Sequence, residues 1–130
     1  MLKKRLGVEA IEREWNLHYH LSNHYFKIPS TLIIPESCEK IGFAAFRGCK
    51  ELKKVVIPES VEEIGYCAFR NCTCLEEVVI PGSVEWIVDR SFEGCIDAVV
   101  ILGKPRSEFK FIGRYRVFDD VKDVKEEIRS

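Results

Sequence analysis

The chain has 130 residues, 46% of them hydrophobic and 32% charged, and its 20 basic and 21 acidic side chains leave a net charge of −1. That suffices for one globular domain, and no run approaches the roughly 20 apolar residues of a membrane-spanning helix, so membrane insertion is not expected. With balanced charge and a pI ≈ 6.3 there is no basic excess to neutralise phosphates, which argues against a nucleic-acid partner.

At the N-terminus, Val8, Ile11 and Trp15 fall at i, i+3 and i+7, one face of a short helix, and Leu17–Leu21 alternates as a strand would. Met1–Trp15 mixes charged and apolar residues where a secretion signal needs about 7 to 15 apolar ones. Six cysteines fall below the roughly 8 to 10% that marks a disulfide scaffold. Together these favour the cytoplasm and reduced thiols. His18, His20 and His24 lie close together, and imidazoles two apart on a strand point the same way, so zinc is an alternative use of them. No Asp, Glu or Cys in that segment completes a four-ligand site, and a polar strand face accounts for the pattern. Residues 1–29 are read as an N-terminal cap.

A repeat with a period of 23 follows, in copies spanning residues 32–51, 52–74 and 75–97. Between the second and third, Leu52/Leu75, Val55/Val78, Ile57/Ile80, Pro58/Pro81, Val61/Val84, Ile64/Ile87, Phe69/Phe92 and Cys72/Cys95 are identical. Short β-branched clusters separated by Pro58 and Gly65 give two extended segments per repeat, and the three prolines Pro35, Pro58 and Pro81 mark one recurrent strand end. A conventional helix of roughly 11 residues does not fit beside two strands in so short a period. The expected fold is a repeat protein, a β-rich solenoid of short parallel strands. Leu32, Val55, Val78 and Ile101 are expected to form one buried column and Ile41, Ile64 and Ile87 another. About three and a half repeats would occupy residues 30–103, with the array stopping at Gly103.

The pattern from Leu52 to Cys72, L-x-x-V-x-I-P-x-S-V-x-x-I-G-x-x-A-F-x-x-C, resembles the Treponema-type, or BspA-like, leucine-rich repeat. The resemblance implies a non-enzymatic leucine-rich-repeat solenoid of a family often found on bacterial surfaces and linked to adhesion. It sets a cell-surface location against the cytoplasmic one. Val88 departs from the pattern where Gly42 and Gly65 stand, and Cys38 where Val61 and Val84 stand.

Residues 104–130 are read as a C-terminal cap in which Val121, Val124 and Ile128 form the apolar face of a short helix behind an Asp cap. No nucleophile elbow, phosphate loop or zinc-protease signature is present, and neither an enzyme nor a cofactor nor a small-molecule substrate is indicated. Cys49, Cys72 and Cys95 recur three residues after Phe46, Phe69 and Phe92, which suits a small apolar side chain inside a turn. A thiol or metal cluster of Cys67, Cys72 and Cys74 is the alternative, although it lacks C-x-x-C pairing. The many glutamates fit a solvated face. If Val55 and Ile57 point inward, then Ile33, Val56 and Val79 point outward, and Phe43, Tyr66 and Trp86 are further exposed candidates. These six residues are the expected surface for a protein partner or for self-association, with a piece of a longer repeat protein as the bland alternative.

Overall fold

The computed structural model describes residues 30–114 and 117–127. The expected N-terminal helix and strand, and the three histidines, lie outside the described residues. Each repeat supplies two strands: β1 (Thr31–Ile33) and β2 (Lys40–Ile41), β3 (Lys54–Val56) and β4 (Glu63–Ile64), then β5 (Glu77–Ile80) and β6 (Trp86–Val88). A fourth coil adds β7 (Val99–Leu102) and β8 (Lys110–Ile112), and β9 (Asp123–Glu126) begins a fifth. The strands stack in parallel into a five-stranded sheet, β1-β3-β5-β7-β9, and a four-stranded sheet, β2-β4-β6-β8. The chain is the β-solenoid that the repeat implies.

The core is made of rows. Leu32, Val55, Val78 and Val100 stand in register and are buried. Ile41, Ile64 and Ile87 do the same in the second sheet. Phe46, Phe69 and Phe92 stack face to face with ring centroids 5.4 Å apart, and Phe118 closes the column 5.9 Å from Phe92. Buried side chains of this size contribute about 1.5–3 kcal/mol each, but only once the next coil covers them.

Backbone hydrogen bonds continue between coils through the turns. Phe46 N–H donates to Ala68 O, Phe69 N–H to Ser91 O and Asn71 N–H to Glu93 O, each at 2.7 Å. Each turn bends through left-handed residues at recurrent places: Ala44, Cys67 and Arg90 with φ of 52°, 59° and 61°, then Gly48, Asn71 and Gly94. A non-glycine residue there costs about 1–2 kcal/mol, which the hydrogen bonds between stacked turns offset.

Three expectations are corrected. Ile101 pairs with Val79, and it is Val100 that stands beside Val78, because the fourth coil arrives one residue early. The coils continue past Gly103: after a short 3-10 helix, Arg106–Glu108, β8 pairs with β6. Residues 123–126, expected as part of a helix over Val121, Val124 and Ile128, are a strand. Pairing with β7 supplies their backbone with partners, and Glu127 N–H adds a bond to Leu102 O at 2.9 Å. Val121 and Val124 still pack against the core, from a bend and a strand in place of a helix. Ile128 is outside the described residues.

One row contains a mismatch. Ala45 and Ala68 are followed by Ser91, which is fully buried and whose Oγ has no hydrogen-bond partner. An unpaired buried hydroxyl is costly. Ser91→Ala should therefore raise unfolding free energy by about 1 kcal/mol, measured by urea denaturation; a loss of stability would show that the hydroxyl is satisfied.

Candidate functional site

The six expected surface residues divide between the two sheets. On the five-stranded sheet the outward row runs Ile33, Val56, Val79, Ile101 and then Lys125. Ile33 is 73% exposed, and Val56, Val79 and Ile101 are half-buried. Shifting a strand by one residue exchanges its faces, so the early arrival of the fourth coil turns Ile101 outward and makes the apolar row four residues long. Aligning Val99–Leu102 at a spacing of 22 was the signal for it, since only that register puts both Val100 and Leu102 on buried rows.

An open groove of about 340 Å³ lies along this row. Val56, Val79, Ile101 and Pro81 give it an apolar floor, Gly82 and Gly103 leave it room, and the acidic residues Glu59 and Glu127 also line it. No feature of the sequence marked Gly82, Gly103, Glu59 and Glu127 as neighbours, because they come from four different coils.

Phe43 and Tyr66 follow the second-sheet strands and are exposed, with rings stacked 5.8 Å apart at 3°. Trp86 is not in their row. It stands in register with Glu63 and Lys110, half-buried, and the Lys110 ammonium sits 4.6 Å over its ring. Each of these aromatics already stabilises the stack through a neighbouring coil.

Four glutamates form ion pairs between coils: Glu63 with Lys40 at 3.1 Å, Glu77 with Lys54 at 3.3 Å, Glu93 with Arg70 at 2.8 Å and Glu85 with Lys110 at 3.0 Å. Pairs this exposed are worth at most about 1 kcal/mol each.

The cysteines fill a structural row. Cys72 Sγ donates to Phe46 O at 3.1 Å and Cys95 Sγ to Phe69 O at 3.0 Å, each reaching one coil back. None of the six is in a disulfide, and only Cys74 is exposed. The Cys72 thiol is held well above its usual range, first by its hydrogen bond with the Cys95 side chain, then by burial and by repulsion from Cys95 and Cys49. Such a thiol is a poor nucleophile and a poor metal ligand. Cys67 is buried with Arg70 Nη1 4.0 Å from its sulfur. Among the described residues no three His, Cys, Asp or Glu side chains converge to hold a metal ion.

This architecture is that of a leucine-rich-repeat solenoid. Residues 21–116 match the family model of the BspA type leucine rich repeat region, in six copies, and the chain belongs to that family. Among solved structures it is similar to a leucine-rich repeat protein of T. pallidum, with a TM-score of 0.60 and 22% identity over 74% of this chain. It is also similar to one from Bacteroides ovatus, with a TM-score of 0.57 and 26% identity over 78% of this chain. The chain spans 58% of the first protein and 35% of the second. No curated protein matches the sequence.

The thiol row makes two measurable expectations. About one thiol of the six, Cys74, should react quickly with a thiol reagent in the folded protein, and all six after denaturation. Below the unfolded thiol pKa of about 8.5 both states keep the Cys72 proton; above it only the unfolded state releases it, so stability should fall as pH rises from there. Thermal melting between neutral and alkaline pH reads this directly, and Cys72→Ala should flatten the alkaline decline.

Proposed function

We propose that this protein is a non-enzymatic protein-binding module whose partner docks on the outward face of the five-stranded sheet. One observation carries the reading: Ile33, Val56, Val79 and Ile101 form an outward apolar row beside an open groove. Coil spacing of about 4.8 Å presents these side chains as a regular array on a rigid support, so binding requires little ordering of the receptor. Leucine-rich-repeat families serve protein interaction in general, and are not generally enzymatic, which supports the same reading. Phe43, Tyr66 and Trp86 are secondary anchors on the second sheet, partly committed to their own stack and cation. Self-association through the same row is the second reading, since an apolar row can cover itself on a second copy. Adhesion is its extracellular form, and the family resemblance makes extracellular matrix proteins the first partners to try.

The experiment compares wild type with the Val56→Lys, Val79→Lys double variant in binding to purified matrix proteins and to bacterial cytosolic proteins. Both positions are half-buried and outward-facing, so each substitution should cost no more than about 1 kcal/mol of stability, checked by melting. A partner held by wild type should be lost by the folded variant; equal binding would remove the face from consideration. Light scattering decides self-association: a dimer that dissociates in the double variant supports the second reading.

A further inference from the structure

The groove beside the apolar row owes its room to two glycines that arise for different reasons. Gly103 stands in the row after Pro58 and Pro81, and Gly82 takes the place that Glu36 and Glu59 hold in the first two repeats. A Cβ on Gly103 would lie 2.9 Å from Gly82 N and 3.2 Å from Pro81 Cα, so the preceding coil excludes any side chain there. A Cβ on Gly82 would meet nothing nearer than 3.4 Å, and its backbone is not left-handed. The fold accepts a side chain at 82. The repeat pattern supplies one at that place, and its loss opens the groove.

Two carboxylates belong to this space. Glu59 lies on the second coil and Glu127 follows β9 on the fifth, three coil steps or roughly 15 Å apart. Among the described residues neither is ion-paired, whereas the neighbouring Glu77 is held by Lys54 and Glu126 accepts the Arg106 N–H. The basic side chain nearest Gly82, Lys104, places its ammonium 4.6 Å over the Phe109 ring. Lys125 stands next to Ile101 on β9 and is not part of the lining. The groove is therefore an apolar floor with an acidic residue from the second coil and another from the fifth, neither of them ion-paired among the described residues.

We propose that the groove receives an extended protein segment whose apolar side chains are bracketed by two cationic residues about four positions apart. Four residues of extended chain cover about 13 Å, which with flexible lysine or arginine side chains matches the separation of Glu59 and Glu127. The apolar floor supplies contact area, and the carboxylates set the charge and register of the segment and repel acidic ones. This rests on the interaction reading above and specifies its partner.

The test titrates the whole chain with three blocked synthetic peptides sharing a Val-Leu-Val centre flanked by two Lys, two Gln or two Glu, followed by NMR or calorimetry. The Lys peptide should bind with Kd below about 1 mM, at least tenfold more tightly than the Gln peptide, with the Glu peptide weakest. Glu59→Gln with Glu127→Gln should erase the Lys preference, and raised salt should do so in part. Gly82→Gln, which fits the backbone, should weaken all binding at least tenfold while leaving melting unchanged. Equal affinity for the Lys and Gln peptides would overturn the charge selection and leave the apolar groove standing. Failure of every peptide to bind would overturn the groove proposal, and the Val56→Lys, Val79→Lys comparison would then judge the interaction reading separately.

Discussion

Each coil hydrogen-bonds to its neighbour through the turns as well as the strands, and the remainder of the structure depends on that constraint. Glu62 N–H donates to Glu39 O, Glu85 N–H to Glu62 O and Lys110 N–H to Glu85 O, all at 2.8 Å, so even the connections form ladders. Once backbones are stacked this way, side chains at one repeat position must stack too. Phenylalanine rings fit because near-parallel rings with centroids 5.4 Å apart stack favourably in such a row, and cysteine fits because it is small and its thiol can donate to a carbonyl one coil back. A 23-residue motif with recurrent Phe and Cys positions is thus a packing rule repeated along an axis.

The same constraint explains why functional signs sit where the repetition fails. Charges pair between coils where the repeat changes its residue, as Lys40 does with Glu63, whereas a copied position sets like charges side by side, as Glu39, Glu62 and Glu85 are. Gly82 in place of a glutamate, the early arrival of Val99–Leu102, and β9 with its trailing Glu127 each break a row. Their combined effect is the groove and the two acidic residues, Glu59 and Glu127, that line it. A repetitive solenoid supplies rigidity; its exceptions supply selectivity.

The fold was legible because stacking requires long-range regularity, and regularity can be read along a sequence. The apolar outward positions Ile33, Val56 and Val79 were legible for the same reason, since strand alternation sets the face of each residue once the inner rows are known. Ile101 was not. Its place depends on whether Val99–Leu102 pairs 22 or 23 residues after β5, and both alignments put an apolar residue inside. β9 was illegible for a different reason: as the outer strand of its sheet it carries Asp123, Lys125 and Glu126, which resist further pairing and resemble an exposed helix face. Val121 and Val124 fit either pattern.

By itself the sequence determined the repeat, the solenoid and the buried rows, because these follow from local spacing and from the need of each coil to cover the next, and its motif resembled the leucine-rich-repeat family. Only the tertiary structure decided the strand identity of residues 123–126, the outward turn of Ile101, and the meeting of Glu59, Gly82, Gly103 and Glu127 along one groove. Those depend on which coil touches which and in what register. Backbone pairing between segments far apart in the chain sets that register, and the pattern within any single repeat does not.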